Sequence, residues 1–572
     1  MANSDSLQQA ATTSIPLERV DRVWAVRFPS LDSPDALTRR RAALLYGGLL
    51  VLLAAVLRFA GMVNEPFWHD EVTMLNIGLG GWEEVLRQFE GGRPPVFVVI
   101  AAVWTQVFGT GEVVSRIPSL IAGIATVVVF FELGTRLFNQ RIGILAALVL
   151  TVTEFHIYYA HTYRYYSVYV LMIVLSYLFF YTMLKRGRWW DIALYILFTA
   201  LAIYTHAHGV FALAAQGVFF LLMLVLRRDY RARAVVTRSL SSFVLLGVLI
   251  LPAVWLYFLG DVLSTSALFA NAGVEVVGDG VGLGWLQEPT VGSIVRALVR
   301  FLFFEWYYLN PYGVFIALLF IVIGVVYFIA RQGVGRWGRS VTHVGRDAGR
   351  DLPDRLPEAL LVVTWFLGML MLPWVLSFIT TPMFFDRYVL GASPAYYLLI
   401  VVALFALRRV IPMVVVMGAF LVALVPGLIA YYAYPDNERW NDLGAYVSAN
   451  EQPGDAIVVV TSDVHLRQTY ETFDWYYEGA PTCEVYEDKL DDPQVIAGLN
   501  SCLIGHERAW VVGLRWLGDY EGLSARGLSS DLHEVFVDES GGAWRLVEAH
   551  EGSEFYLLGA YLYERVPVST GD

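Results

Sequence analysis

Two adjacent carboxylates, Asp70 and Glu71, follow the first long apolar run of the chain, residues 42–61. Ionised side chains are costly near hydrocarbon, so an acidic pair at the end of a membrane span needs a reason. A carboxylate in that place can take the proton of an acceptor hydroxyl, as a general base does. The pair can also simply close a helix end at the interface. We predict that Asp70 is a catalytic base and that Glu71 supports it.

Basic, aromatic and imidazole side chains recur at the ends of other apolar runs. Arg binds phosphate oxygens in a bidentate manner, and Tyr and His supply further hydrogen-bond donors. Aromatic faces suit sugar rings, although Tyr at a span end also anchors the helix at the interface. The predicted substrate-binding residues are Arg58, Arg93, His161, Tyr163, Arg164, Tyr165, His206, His208, Arg387 and Tyr388.

These residue types together suit transfer of a sugar from a phosphate. A phosphate leaving group needs positive charge beside it as the bond to the sugar C1 breaks. A base on one side and cations on the other therefore indicate glycosyl transfer. No cofactor is required by this pattern. A divalent cation stays an open alternative, although two His residues two apart are only weak evidence for a metal site. Its ligands would be Asp70, Glu71, His206 and His208. The sequence has no P-loop, G-x-S-x-G or C-x-x-C motif, so ATP-driven transport and thiol chemistry have no support.

Membrane spans are the elements that must position these residues. The chain has 572 residues, of which 57% are hydrophobic and 16% charged, whereas soluble domains carry about 25% charged residues. The pattern predicts a polytopic α-helical protein of the cell membrane, with about 11–13 transmembrane helices. Residues 1–40 are polar, and we predict no cleavable signal peptide. After residues 42–61, apolar runs cover about 95–108, 116–135, 142–157, 167–184, 190–205, 209–226, 240–259, 311–330, 359–380, 388–406 and 411–433.

Basic clusters predict the orientation of these spans. They lie at 39–41, 185–188, 227–238, 331–355 and 408–409. The positive-inside rule places them and the N-terminus in the cytoplasm, and the site residues outside. Three apolar runs between 95 and 157 conflict with this, because three crossings would place His161 in the cytoplasm. We therefore expect either that one of these runs does not cross fully or that a boundary is misplaced.

Two loops, 62–94 and 261–310, are predicted to lie on the outer side of the membrane. Residues 71–92 have an amphipathic pattern, which predicts a helix lying on the outer interface. The second part of the longer loop, residues 291–304, is apolar with Arg296 and Arg300 four apart, and it predicts another interfacial helix. Long loops of this kind often act as lids or binding loops.

The chain divides into three predicted regions: a cytoplasmic segment 1–41, a transmembrane domain 42–434 and an extracytoplasmic α/β domain 435–572. Residues 435–572 carry 26 acidic and 8 basic residues (net −18), which leaves 26 acidic and 32 basic residues (net +6) in the rest of the chain. This acidity argues against nucleic acid as a partner. Alternating short strands and helices indicate the α/β class, with strands at 456–461, 509–514, 535–537 and 555–561 and helices at 464–478 and 492–500.

Both cysteines, Cys483 and Cys502, lie in the acidic region. Outside the cell a disulfide between them is chemically allowed. Two independent reduced thiols fit the sequence equally well, so the pairing stays open at this point.

The order and spacing of the motifs resemble the GT-C superfamily of glycosyltransferases that use polyprenyl-phosphate sugars. The similarity is greatest to prokaryotic relatives of dolichyl-phosphate-mannose protein mannosyltransferases and of the lipid A aminoarabinose transferase. It covers residues 42–226 and, more loosely, 360–433. The residues that carry it are 67–71 (FWHDE), 93–95 (RPP), 116–120 (RIPSL), 163–167 (YRYYS) and 386–388 (DRY).

The resemblance implies an enzyme with its active site on the outer face, a polyprenyl monophosphate sugar as donor and inversion at the anomeric carbon. It implies that Asp70 is the base or acceptor-binding group and that Arg387 and Tyr388 contact the lipid phosphate. The acceptor, whether lipid, glycan or protein, stays open. The alternatives are a flippase or transporter for lipid-linked glycans and a non-catalytic glycan-binding membrane subunit.

Overall fold

The fold is described from a computed structural model of the chain. The structure describes residues 35–62, 65–90, 93–254, 286–303, 355–405, 410–433, 438–461, 468–486, 493–514, 544–551 and 558–566. The predicted apolar run 311–330 and the predicted strand 535–537 lie outside the described residues.

The described residues up to 433 form a helical domain. Its first helix begins where the Asp35 side chain accepts hydrogen bonds from the backbone N–H groups of Leu37 and Thr38. The helices are α1 (Ala36–Ala60), α2 (His69–Leu79), α3 (Gly81–Glu90), α4 (Pro95–Phe108), α5 (Glu112–Leu137), α6 (Gln140–Val152), α7 (Glu154–His161), α8 (Tyr166–Arg186), α9 (Trp189–Thr205), α10 (Gly209–Leu226), α11 (Arg233–Val254), α12 (Val291–Phe303), α13 (Leu356–Leu376), α14 (Ser393–Phe405) and α15 (Val410–Ala433).

Seven of these helices are long and apolar enough to cross a membrane, and α6 with α7 makes an eighth if the bent pair is one span. The seven are α1, α5, α8, α10, α11, α13 and α15. The predicted polytopic helical fold is confirmed. Three shorter apolar helices in the described part of the chain, α4, α9 and the segment Leu390–Phe405, account for most of the difference from the predicted 11–13.

The length of α4 favours one explanation of the conflict over the side of His161, namely that one of the three apolar runs does not cross fully. This helix has 14 residues, which gives a length of about 21 Å against a hydrocarbon core of about 30 Å. The next two crossings are α5 and the pair α6–α7, which bends by 59° between Val152 and Glu154. With α4 not crossing, the residues after α1 and after α7 lie on the same side. The ion pair between Asp70 and Arg164 requires the same arrangement.

The amphipathic segment 71–92 does not form one helix on the interface. It divides into α2 and α3 at Gly81, whose φ of +63° favours glycine. The apolar side chains of α2 are buried, among them Val72 and Leu75, while α3 exposes Trp82 and Leu86. The expectation of a surface helix was therefore wrong for α2, because its apolar residues pack into a core with α4.

Residues 438–566 contain a sheet-bearing domain. Its strands are in the order β2-β1-β3-β5-β4, with β1 parallel to β2 and β3, and β5 antiparallel to β3 and β4. Helices cover both faces, and successive residues of β1 point alternately to the two cores. The elements are α16 (Trp440–Asn450), β1 (Ala456–Thr461), α17 (Gln468–Tyr476), β2 (Thr482–Tyr486), α18 (Pro493–Leu503), β3 (Arg508–Leu514), β4 (Trp544–Glu551) and β5 (Leu558–Arg565).

The predicted α/β class and the strand at 456–461 are confirmed, and the strand at 509–514 is found one residue longer. Two strands, β2 and β4, were missed. Cys483 in β2 and Cys502 in α18 form a disulfide, which settles the pairing that the sequence left open.

Candidate active site

Asp70 lies in the first turn of α2, between two arginines from distant parts of the chain. Its Oδ1 is 3.5 Å from a terminal nitrogen of Arg164, which follows α7. Its Oδ2 is 3.8 Å from a terminal nitrogen of Arg387, which lies between α13 and α14. Arg164 also donates a hydrogen bond of 3.1 Å to the Asp70 carbonyl. Three residues predicted as site members are therefore brought together.

The arginines determine the charge state of Asp70. Burial alone disfavours the ionised carboxylate, but Arg164, followed by His69, Arg387 and Arg93, outweighs it and lowers the pKa of Asp70. Asp70 is therefore ionised at neutral pH. One carboxylate facing three arginines leaves an excess of positive charge, which suits an anionic substrate.

Arg164 retains donor capacity for such a substrate. Among the residues that the structure describes, its buried Nε has no hydrogen-bond acceptor. Its guanidinium lies over the ring of Tyr165, at 5.3 Å from the centroid, and that of Arg387 lies at 5.5 Å from the ring centroid of Tyr388. Both rings hold the planar cations in place.

Two histidines lie beside these tyrosines. The ring of His206 is 5.1 Å from that of Tyr165 and 5.3 Å from that of Tyr388, and the ring of His208 is 5.6 Å from that of Tyr388. Burial lowers the pKa of His208 to about 4. Burial, followed by the neighbouring His208 and then by Arg387 and Arg164, also holds the pKa of His206 well below its usual range. Both imidazoles are neutral at pH 7, so they offer hydrogen bonds rather than charge.

Glu71 does not face the cluster of arginines around Asp70. It is fully buried and forms a bidentate ion pair with Arg116 of α5, at 2.8 and 2.6 Å, and it accepts a 2.6 Å hydrogen bond from the Tyr163 N–H. Arg116 also donates to the carbonyls of Glu65 (2.7 Å) and Pro66 (2.9 Å). This pair fixes the turn that leads into α2 and thereby the place of Asp70.

Two other predicted residues lie in buried contacts apart from this cluster. Arg58 is fully buried and donates to the carbonyls of Leu150 and Thr151 at the end of α6, where the bend exposes them. His161 stacks on Tyr431 of α15 and hydrogen-bonds its hydroxyl at 2.5 Å.

Tyr163 is also fully buried. Its hydroxyl lies 3.0 Å from that of Thr105 and donates to the carbonyl of Ala101 in α4. Arg93, in contrast, is exposed and adds its positive charge to the surroundings of Asp70.

The four residues considered for a metal do not come together as one set. Within the described ranges, no group of three or more His, Cys, Asp or Glu side chains is arranged to hold a metal ion. Glu71 is bonded to Arg116, and His206 accepts a hydrogen bond through Nδ1 from the His208 N–H at 3.1 Å.

The sequence pattern missed three groups that support the site. The sequence could have indicated the role of Arg116, because an arginine within an apolar span needs a buried carboxylate as its partner. Arg300 of α12 pairs with Asp386 at 2.5 Å, next to Arg387. Glu438 and Tyr476 reach α2 from the C-terminal domain, and no local pattern predicts contacts over 369 and 409 residues of chain.

The fold of the chain is similar to that of solved structures of ArnT and of an archaeal oligosaccharyltransferase. ArnT from Cupriavidus metallidurans in the apo state superimposes with a TM-score of 0.53 at 13% identity, over 91% of this chain and 98% of that chain. ArnT from the same organism bound to undecaprenyl phosphate gives 0.52 at 13% identity, over 91% and 97%. The archaeal oligosaccharyltransferase AglB from Archaeoglobus fulgidus, in complex with an inhibitory peptide and a dolichol-phosphate, gives 0.52 at 10% identity, over 83% and 70%. The chain therefore shares its fold with these proteins, which agrees with the resemblance of its motifs to the GT-C superfamily of glycosyltransferases.

Within this class, residues 92–258 match the sequence model of the dolichyl-phosphate-mannose-protein mannosyltransferase family. The matched segment includes Arg164, His206 and His208, while Asp70 and Arg387 lie on either side of it. A sequence comparison with curated proteins finds no match. Fold and family match together support glycosyl transfer as the general activity.

Proposed function

We propose that this protein is an inverting glycosyltransferase that moves one sugar from a polyprenyl-phosphate donor to an acceptor hydroxyl on the outer face of the membrane. The observation that carries this proposal is the position of Asp70, with Arg164 at 3.5 Å and Arg387 at 3.8 Å. A base and two phosphate-binding cations lie within one cluster. The matched family and the lipid phosphates named with two of the similar structures support a donor of this class.

The reaction follows from the charges. Asp70 takes the proton of the acceptor hydroxyl as the acceptor oxygen forms a bond to the sugar C1. The bond between C1 and the phosphate oxygen breaks, and its electron pair stays on the phosphate. Arg164 and Arg387 stabilise that developing charge. Attack opposite to the leaving phosphate inverts the anomeric carbon, and the products are the glycosylated acceptor and polyprenyl phosphate.

Glu71 has a positioning role in this proposal. Its Oε1 accepts from Arg116 and the Tyr163 N–H, and its Oε2 accepts from Arg116 and the Trp68 N–H. Neither oxygen is therefore left for an acceptor hydroxyl or a cation. Tyr165, Tyr388 and the two neutral histidines supply aromatic faces and uncharged hydrogen bonds next to the arginines, which suits the sugar of the donor.

An outer location of the site is supported by the basic residues at the opposite end of the bundle. Helix α8 begins beside the site at Tyr166 and ends at Lys185 and Arg186. Its 21 residues span about 31 Å, which equals the thickness of a hydrocarbon core. The cluster at 227–238 follows α10, which also begins at the site. Clusters of this kind face the cytoplasm.

The test is transfer by purified protein in nanodiscs, supplied with a panel of synthetic undecaprenyl-phosphate sugars and a membrane glycolipid extract. Release of undecaprenyl phosphate is measured for the wild type, for Asp70→Asn and for Asp229→Asn. Asp229 is a matched control, because it pairs with Arg227 at 3.2 Å on the far side. We expect Asp70→Asn to lose about a hundredfold or more of the rate and Asp229→Asn to lose none.

Two outcomes would contradict the proposal. Wild-type rates in Asp70→Asn would remove Asp70 from catalysis. Binding of the donors by the wild type without any release would favour the transporter or the glycan-binding subunit.

A further inference from the structure

Helix α2, which carries Asp70, is held from outside the membrane domain. The Tyr476 hydroxyl at the end of α17 accepts a 2.6 Å hydrogen bond from the backbone N–H of Phe67. The same hydroxyl donates a 2.7 Å hydrogen bond to Oε1 of Glu112, in the first turn of α5. One side chain of the C-terminal domain thus bonds two separate elements of the membrane domain.

Further contacts accompany Tyr476 along the whole of α2. At its first residue, His69 Nδ1 lies 3.3 Å from the Glu438 carboxylate. Toward its end, the Asn76 amide donates a 3.2 Å hydrogen bond to Glu471 of α17. The ring of Phe67 also meets that of Trp475 edge-on at 6.4 Å. The C-terminal domain therefore contacts α2 at both ends.

These contacts lead directly to Asp70. Phe67 is three residues before Asp70, and Glu112 is one helical turn before Arg116, which holds Glu71. The Arg116 guanidinium lies 5.2 Å from the centre of the Phe67 ring. Tyr476 thus forms hydrogen bonds both to the turn before α2 and to the first turn of α5, the helix that carries Arg116. None of its contacts reaches Arg164 or Arg387 among the described residues.

We propose that the C-terminal domain is a positioning element of the active site and that Tyr476 is its positioning residue. The domain holds the start of α2 so that the Asp70 carboxylate lies at the acceptor hydroxyl, while Tyr476 itself bonds to neither of the arginines that bind the donor phosphate. This inference rests on the proposed role of Asp70 as the base. It assigns the acidic domain to the chemical step and makes it more than a separate binding module.

The direct test compares Tyr476→Phe with Tyr446→Phe in the full-length protein in nanodiscs. Tyr446 is the matched control, because it is also half-buried and donates a 2.7 Å hydrogen bond to a glutamate, Glu548, but within the C-terminal domain. Hydrogen exchange of the backbone amides of residues 67–79 is measured by mass spectrometry. We expect exchange about fivefold faster in Tyr476→Phe, since one substitution removes two hydrogen bonds, and no change in Tyr446→Phe. Equal exchange in both variants would overturn the positioning role.

A second measurement separates positioning from a general loss of folding. With the undecaprenyl-phosphate sugar that the wild type consumes, Tyr476→Phe is expected to lower kcat about tenfold and to leave KM for the donor within about twofold. Affinity for undecaprenyl phosphate alone is expected to be equal in both variants. A parallel change in KM and in that affinity would contradict the inference. If the wild type releases no undecaprenyl phosphate, the proposed function fails, while the exchange experiment still decides whether Tyr476 holds α2.

Discussion

At the scale of single residues, Asp70 and the donor phosphate would share the same two cations. In the free protein Arg164 and Arg387 hold the carboxylate, so it is ionised but a weak base. In the proposed mechanism, the donor phosphate takes up their charge, and the pKa of Asp70 would then rise toward a value at which it accepts a proton more readily. Under the proposed function, the same arrangement would couple donor binding to activation of the base.

This coupling predicts the pH dependence of the reaction. In the proposed mechanism, Asp70 has to be ionised to act. Of the neighbouring charges, Arg164 lowers the pKa of Asp70 most, so kcat/KM of the wild type should fall only at pH values below the ordinary aspartate pKa of 3.8. Arg164→Ala removes that charge, so the acid limb should move to higher pH. Measurement of kcat/KM from pH 3 to 8 checks this. Arg136→Ala, which removes a cation that pairs with Glu132 on α5, should leave the limb in place.

The ion pair of Glu71 and Arg116 predicts an effect on stability. Both side chains are fully buried, so Glu71→Gln leaves a buried guanidinium without its counter-charge, at a cost of about 3–5 kcal/mol. Glu132→Gln breaks the more exposed pair with Arg136 and should cost about 0.5 kcal/mol or less. Thermal unfolding in detergent compares the two variants. Equal melting temperatures would show that the buried pair contributes no more to stability than the exposed one.

At the scale of elements, local pattern predicted the existence of most helices but not how they assemble. The apolar run 95–108 has the composition of a span, but its helix has only 14 residues and packs against α2, which the local pattern did not predict. Asp70, Arg164 and Arg387 were predicted because charge and position at span ends mark them. The partner of Glu71 was not predicted, because Arg116 lies 45 residues along the chain on another helix.

The contact of α2 with the C-terminal domain makes a second pH prediction. Burial opposes protonation of His69, but Glu438 outweighs it and raises the pKa of His69, and His69 in turn lowers the pKa of Glu438 against its burial. Asp70 and Arg387 also face His69. The raised pKa of His69 contributes stability that is fully present below pH 6.5 and is lost as the pH rises through the raised pKa. The lowered pKa of Glu438 contributes stability that is fully present above pH 4.5 and is lost as the pH falls through the lowered pKa.

Glu438→Gln is therefore expected to lower the melting temperature most between pH 4.5 and 6.5 and progressively less as pH rises above that window. Glu548→Gln, which loses a tyrosine hydrogen bond and no histidine, should show no such dependence. A constant difference between wild type and Glu438→Gln from pH 5 to 9 would show that the pair with His69 contributes nothing.

At the scale of the whole molecule, charge and hydropathy predicted two domains and their order, because both depend on sums over many residues. The docking of one domain on the other could not be predicted in this way. It depends on a few side chains, such as Tyr476 and Glu438, whose partners lie hundreds of residues away. The disulfide could not be predicted either, because it depends on the strand register that places Cys483 in β2 near Cys502 in α18.

The same fold predicts which parts of the molecule share a side of the membrane. Asp70, Arg164 and the docked C-terminal domain lie at one end of the bundle, while residues 185–188 and 227–238 lie at the other. Both native cysteines are in the disulfide, so single introduced cysteines report without background. Glu90, Asp229 and Glu478 are exposed and suit this purpose. In intact cells, a membrane-impermeant maleimide should label Glu90→Cys and Glu478→Cys, and should label Asp229→Cys only after permeabilisation. Labelling of Asp229→Cys alone in intact cells would place the site in the cytoplasm, and labelling of Glu90→Cys without Glu478→Cys would contradict the docked domain.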